Sequence, residues 1–124
     1  MLNCVTKYAN MKNANDDLRE HSSTDQYHRY MCGMLLSDGT LAMCEKFSCF
    51  WFADVICSYQ HKLQNKEDFQ VWSLGKNDDS SAIVLCTDGN DRVLISQDIP
   101  WTDFGADVAT LWVEGNIILL PSEH

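Results

Sequence analysis

The spacing of the apolar residues changes near residue 68, and this change constrains the fold more than any other feature. Before that point, apolar residues recur at intervals of three and four, which is typical of amphipathic helices. After it they alternate, as in "FQVWSLG" at 69–75, and turn residues separate short runs of this kind. Helices followed by closely connected strands favour an α+β fold with a mainly antiparallel sheet.

The stretch "CEKFSCFWFADVICSYQ" at residues 44–60 predicts a central aromatic helix. On a helical wheel its apolar residues cover most of the circumference, and Asp54, Ser58 and His61 share the remaining narrow stripe. The longest apolar run, 49–57, is interrupted by Asp54 and falls far short of the roughly 20 residues that span a bilayer. We therefore expect this helix to cover one face of the sheet.

The remainder of the first half is also expected to be mainly helical, over residues 23–66. Ser23 and Gln26 fit a capping box, and the apolar residues after them have helical spacing. These residues are Tyr27, Tyr30, Met31, Met34 and Leu35. Gly33 weakens this helix, so a strand is an open alternative. A short helix over residues 40–47 should follow, whereas the polar residues 1–22 form a weak helix or a mobile loop.

About five antiparallel strands are expected between residues 69 and 121. "DGND" at 88–91 is a turn between two strands, Pro100 ends one strand, and "EGN" at 114–116 is the turn of a final hairpin. No internal repeat or long linker divides the chain. Residues 1–124 are accordingly predicted to form a single domain.

The chain is acidic, with a formal net charge of −9. This charge argues against direct binding to nucleic acid, which needs clustered Lys and Arg. An acidic surface can instead meet a basic protein, including a nucleic-acid-binding one, although solubility alone also explains such a charge. The first residues show no secretory signal, so a cytoplasmic location with free thiols is expected. We expect no membrane partner and no cofactor, and a homodimer is an open possibility.

Three segments of the chain resemble an uncharacterised family of unknown function. They are "YHRYMCGMLLSDGTLAMCEKFSCFWFADVICSYQ", "FQVWSL" and "LWVEGNIILLPSEH". The shared features are a Tyr-rich segment, a turn at "DG", an aromatic helix ending in "SYQ" and an ending in "LLPSE". The resemblance covers most of the chain from about residue 22. Ser37 stands where the family pattern has Thr, and cysteines stand in the helix where small residues are more usual.

That family comprises small proteins of bacteria, phages and other mobile elements. The resemblance therefore implies such a context, for a phage product the cytoplasm of the host cell, and it brings no established activity. The departure at the helix cysteines counts against an essential thiol.

Neither a metal site nor a catalytic site is favoured by the residue patterns. Cys44, Cys49 and Cys57, with Cys32 or His28, have ligand chemistry, but no pair has C-x₂-C spacing, and Cys49 and Cys57 project from the predicted helix in different directions. Asp54, Ser58 and His61 have the residue types of a triad, but no strained elbow or Gly-rich oxyanion loop accompanies them. Buried cysteines and a polar stripe explain these residues, and an enzyme is not favoured.

Several residues are candidates for binding. Tyr27, His28, Arg29 and Tyr30 could contact a ligand or form a partner hot spot, or they could simply pack. Asp54 is costly to bury alone, so we expect it to reach water or to pair with Arg29, His28 or a Tyr hydroxyl. The acids near predicted turns could imitate phosphates or only stabilise the turns. These acids are Asp78, Asp79, Asp88, Asp91, Asp98, Asp103 and Asp107.

The sequence thus predicts a non-enzymatic protein-binding domain of phage or mobile-element type. Its sharpest form is an inhibitor of a host system, similar to an anti-CRISPR protein, that acts through an acidic surface. The alternative is a small-ligand-binding protein or enzyme. That alternative requires a pocket between the aromatic helix and the sheet, lined by Asp54, His28 or Trp72.

Overall fold

The computed structural model describes residues 12–64 and 66–124, and it shows an α+β fold. The predictions made for residues 1–11 lie outside the described residues. The strands are β1 (Tyr27–Arg29), β2 (Leu35–Ser37), β3 (Phe69–Lys76), β4 (Ala82–Thr87), β5 (Val93–Ile99), β6 (Val108–Glu114) and β7 (Ile117–Leu119). The helices are α1 (Asp38–Phe47), α2 (Phe50–Ser58) and α3 (Gln60–Leu63). Short 3-10 turns lie at Asp16–Leu18, Met31–Gly33 and Pro121–Glu123.

The seven strands form one mixed sheet in the order β1-β2-β7-β6-β3-β4-β5. Every neighbouring pair is antiparallel except β2 and β7, which run parallel. The five strands expected in the second half are all present, so the α+β class is confirmed. The number of about five is too low, because β1 and β2 add to the sheet beside β7.

The helix predicted from residue 27 is wrong, and its open alternative, a strand, is correct. Tyr27 lies opposite Ser37 in the β1–β2 pair. Cys32 and Gly33 turn the chain between these strands with positive φ values of 58° and 73°, which a right-handed helix excludes. In place of the expected capping box, the carboxylate of Asp38 accepts the backbone N–H groups at positions 25 and 26, at 2.9 and 3.3 Å.

The helix α1 agrees with the short helix predicted over residues 40–47, and local signals define its ends. The central helix predicted from residues 44–60 is divided, because α2 begins only at Phe50 and ends at Ser58. Ser37 caps α1, since its hydroxyl accepts the Thr40 N–H at 3.1 Å. Ser48 ends α1 in the left-handed conformation, with φ of 56°, and its N–H bonds to the Cys44 carbonyl. No helix in the described ranges is long and apolar enough to cross a membrane.

The core lies between the helices and one face of the sheet. Gln70, Trp72 and Leu74 alternate along β3 toward this face and are buried with Phe52 and Ile56 of α2. The intervening side chains lie on the opposite face, which we call the open face. It includes Phe69, Val71, Ser73, Ile83, Leu85, Thr110, Trp112, Glu114, Ile117 and Leu119.

Residues 12–15 extend the sheet where β7 ends. The Lys12 carbonyl accepts the Val108 N–H at 3.1 Å, and the Ala14 N–H donates to the Val108 carbonyl at 2.9 Å. The amide side chain of Asn15 bonds both backbone groups of Thr110, at 2.7 and 2.9 Å. This segment therefore satisfies the edge of β6 beyond β7.

Candidate functional site

Asp54, the lone acid of the central helix, is paired with Tyr30. The Tyr30 hydroxyl donates a hydrogen bond to Asp54 Oδ1, and its ring stacks on Phe50 with 6.4 Å between centroids. Burial and the adjacent Asp54 carboxylate raise the pKa of Tyr30 well above its usual range, so the phenol remains a donor. Of the partners expected for Asp54, the structure therefore selects a Tyr hydroxyl. The pair joins α2 to the chain that follows β1.

Ser58 and His61 do not continue this pair into a relay. The Ser58 hydroxyl donates to the Val55 carbonyl at 2.6 Å, and His61 Nδ1 lies 2.9 Å from the Ser58 carbonyl oxygen. Both side chains are thus held against the backbone of their own helical turn. The arrangement lacks the Ser–His contact on which a triad depends.

The four residues of "YHRY" point in different directions. Tyr27 and Arg29 are exposed on β1, whereas Tyr30 turns to α2. His28 lies on the opposite side of β1 from these two residues, and its Nε2 is 2.8 Å from Oδ1 of Asp38, the first residue of α1. The hydrogen bond with His28 makes the largest contribution, and backbone N–H groups add to it; together they lower the pKa of Asp38 to about 2. The structure therefore separates a segment that the sequence suggested as one patch.

Trp72, one of the expected binding residues, belongs to the core. Its Nε1 donates to Gln70 Oε1 at 2.8 Å, and Gln70 exchanges two amide hydrogen bonds of 2.9 Å with Gln60. Tyr59 donates to Gln97 Oε1 at 2.7 Å. The "SYQ" end of the helix thus fastens it to the sheet. Because Trp72 is completely buried, it does not meet solvent or a dissolved ligand.

The "SDG" and "LLPSE" segments meet at the start of α1. Glu123 Oε2 accepts the Gly39 N–H at 3.0 Å, and Glu123 Oε1 accepts the Leu120 N–H at 2.9 Å and the Ser37 hydroxyl at 2.5 Å. A carboxylate at a helix N-terminus is favourable because unpaired N–H groups converge there. These two shared segments therefore have a structural role.

The described cysteines are mostly buried. Cys44, Cys49, Cys57 and Cys86 are buried, and Cys32 is exposed. Burial raises the pKa of Cys57 and of Cys86 to about 12, which keeps both as thiols. Within residues 12–64 and 66–124, no three His, Cys, Asp or Glu side chains are grouped to hold a metal ion.

The most exposed large apolar side chain in the described chain is Trp101, at 67%. The Thr102 N–H donates to the Ser80 carbonyl at 2.8 Å, which fixes the connection after β5 against the β3–β4 turn. In that turn, Asp79 accepts the backbone N–H and hydroxyl of Ser81. Both bonds lower the pKa of Asp79, and the bond from the hydroxyl contributes more than the bond from the backbone N–H.

We call the resulting area the Trp101 surface. It consists of Asp78, Asp79, Ile83, Asp98, Trp101 and Asp103. Ile83 lies opposite Asp98 in the β4–β5 pair and is exposed. Three predicted binding residues, Asp78, Asp79 and Asp103, are therefore brought to one end of the sheet, beside a Trp that the sequence interpretation missed. The available signal was a Trp after Pro100 in an irregular connection, where no apolar period predicts burial.

Negative charge is concentrated in the strand-rich part of the chain. Residues 67–114 contain ten acidic and two basic residues, a net charge of −8. The other residues contain eight acidic and seven basic residues, a net charge of −1. The acidity of the protein therefore resides largely in the sequence that forms β3–β6 and their connections.

A groove of about 540 Å³ lies at the opposite corner of the sheet. Its lining residues are Tyr27, Glu114, Gly115, Ile117, Leu119, Glu123 and His124. His124 Nε2 lies 3.0 Å from Glu114 Oε2, and the His124 ring packs edge-on against Trp112 and Phe69. We call this the open-face groove. It is distinct from the seam between α2 and the sheet, where Phe52, Ile56 and Trp72 are completely buried.

Comparisons with known proteins identify a family but no relative of known activity. No curated protein and no solved structure matches the chain significantly. A family model does match, over residues 12–124, and it covers nearly the whole chain, including the shared segments described above. The chain belongs to the family of unknown function DUF6876.

Proposed function

We propose that this protein is a non-enzymatic protein-binding domain whose Trp101 surface contacts a basic surface of another protein. The observation that carries the proposal is the exposure of Trp101 beside Asp78, Asp79 and Asp103. Tryptophan is enriched among residues that dominate binding energy, because it buries a large apolar area. An exposed Trp with acidic residues in the adjoining segments matches an interface with an apolar centre and a polar rim.

The charge distribution supports a basic partner. The net charge of −8 over residues 67–114 attracts positively charged surfaces and repels phosphate backbones. Such a field accelerates the encounter with a basic protein and disfavours acidic competitors. Direct nucleic-acid binding does not fit this surface.

The narrower form of the proposal is inhibition of a host system by a phage or mobile-element protein, as anti-CRISPR proteins do. Asp79, Asp98 and Asp103 present carboxylates at one end of the sheet. Carboxylates in such a place can occupy a basic groove that otherwise holds phosphates. The domain would then cover that groove or prevent an assembly.

Affinity capture from a bacterial lysate that contains expressed defence complexes tests this function. The parent chain and the variants Trp101→Ala and Met31→Ala serve as baits. Met31 is also exposed but lies in the turn between β1 and β2, so its variant is a matched control. We expect one stoichiometric basic partner with the parent and with Met31→Ala, and loss of that partner with Trp101→Ala. Capture of no stoichiometric partner, or equal capture by both variants, contradicts the proposal.

A further inference from the structure

We propose that the open-face groove receives an arginine side chain. This inference deepens the proposed function and rests on it, because it takes the partner to be a basic protein. The groove lies on the open face beside the β6–β7 turn, whereas the Trp101 surface lies at the β3–β4 turn. Since β6 and β3 are antiparallel and central, these are diagonally opposite corners of the sheet. The two surfaces can therefore be changed independently.

The shape of the groove suits an extended side chain. Its volume of about 540 Å³ lies within the range of known ligand pockets. Ile117 and Leu119 of β7 both line it, from the face opposite the buried Ile118. An aliphatic stem can pack along these two side chains while its charged end stays hydrated.

The polar groups of the groove favour a cation. The Glu114 side chain is 56% exposed and lines the groove, and Glu114 lies opposite Ile117 in the β6–β7 pair. Glu123 adds a second negative charge, although its oxygens already accept bonds from the start of α1. Among the lining residues only His124 can carry a positive charge, and it lies against Glu114. An incoming cation would therefore replace His124 as the partner of Glu114.

The exposed ring of Tyr27 distinguishes arginine from lysine. Tyr27 is 52% exposed and lines the groove on the side of β1. A guanidinium is planar and can stack on an aromatic face while its N–H groups bind a carboxylate in pairs. A lysine ammonium is a point charge, so it gains less binding energy from an aromatic face and cannot bind a carboxylate through two parallel N–H groups in the same way.

An NMR titration of the ¹⁵N-labelled full chain tests this assignment. The probes are the blocked tripeptide Gly-Arg-Gly and its lysine and citrulline counterparts; citrulline keeps the shape of arginine without the charge. With the arginine peptide we expect saturable shifts at Tyr27, at residues 114–119 and at His124. Glu114→Gln should weaken this binding about fivefold, the scale of an exposed ion pair. Glu20→Gln, which removes the same charge from an exposed site elsewhere, should leave it unchanged.

Equal binding of the citrulline peptide, equal effects of the two Gln variants, or shifts confined to residues 78–83 and 101–103 would each overturn the assignment. Lysine binding as tight as arginine binding overturns the choice of arginine. The proposed function is judged separately, by capture on Trp101. A partner captured through Trp101 with no arginine binding refutes only the groove, and arginine binding without a captured partner refutes only the proposed function.

Discussion

Glu123 Oε2 lies 3.0 Å from the backbone nitrogen of Gly39, so a residue near the end of the chain caps the first α-helix. The same carboxylate holds Leu120 and Ser37, which brings together β2, α1 and the segment after β7. This contact joins the "DG" and "LLPSE" segments, which both carry the family resemblance. Both segments therefore have a structural role, and this role does not require contact with a partner.

Gly39 should not tolerate a side chain. A Cβ at this position would lie 2.5 Å from Leu120 Cδ1 and 2.6 Å from Glu123 Oε1. We expect Gly39→Ala to lower the free energy of unfolding in urea by about 1–3 kcal/mol, because tightly packed atoms must move. Gly75→Ala is the matched control, since a Cβ there meets nothing within 4 Å. Equal stability of the two variants contradicts the packing at Gly39.

The Tyr30–Asp54 pair should contribute to stability. Tyr30→Phe removes the hydroxyl that donates to Asp54 and leaves a part-buried carboxylate without this donor. We expect the free energy of unfolding to fall by about 1–3 kcal/mol. Tyr27→Phe removes a hydroxyl from an exposed ring and should change stability by less than about 0.5 kcal/mol. A Tyr30→Phe variant as stable as Tyr27→Phe would show that the pair contributes nothing.

Asp38 should make stability depend on acid pH. Its pKa falls from 3.8 to about 2 in the folded protein, chiefly through His28. The charged form is therefore stabilised by folding, and this contribution is present above pH 3.8 and lost as the pH falls toward about 2. In Asp38→Asn the decline of the free energy of unfolding over this interval should be shallower. His28→Gln should also make this decline shallower. If both variants lose stability as steeply as the parent chain, the His28–Asp38 pair does not stabilise the fold.

The sequence predicts those elements whose period and end signals agree. Phe69 to Gly75 alternates, turn residues separate the later strands, and Ser37 and Ser48 bound α1, so these strands and this helix are found correctly. Around Tyr27 the apolar spacing is helical, but pairing between β1 and β2 and the positive φ of Cys32 prevail. Tertiary hydrogen bonds override a local period there.

The candidate site is less accessible to sequence reasoning because it depends on long-range proximity. Asp79 and Asp103 are far apart in the chain, and the hydrogen bond between Thr102 and Ser80 brings their two segments together. Trp72 and Trp101 have the same side chain, yet the first is buried and the second is exposed. The alternation of β3 predicts burial for the first, and no period covers the second.

Binding through an acidic surface should weaken with salt. Raising the ionic strength from about 0.05 M to about 0.5 M shortens the screening length and should reduce retention of the captured partner. Asp103→Asn should lower retention at low salt and flatten this dependence, whereas Glu20→Gln should do neither, because Glu20 lies outside the Trp101 surface. Retention that is unchanged by salt in the parent chain contradicts an electrostatic contribution.

Amide hydrogen exchange of the chain, measured with and without its captured partner, tests whether the Trp101 surface is the surface that binds. We expect slower exchange in residues 78–83 and 98–103, which contain the Trp101 surface. Exchange in α1 and α2 should change little, because neither helix contains a residue of the Trp101 surface. Protection confined to the helices, with none at the Trp101 surface, would contradict the account.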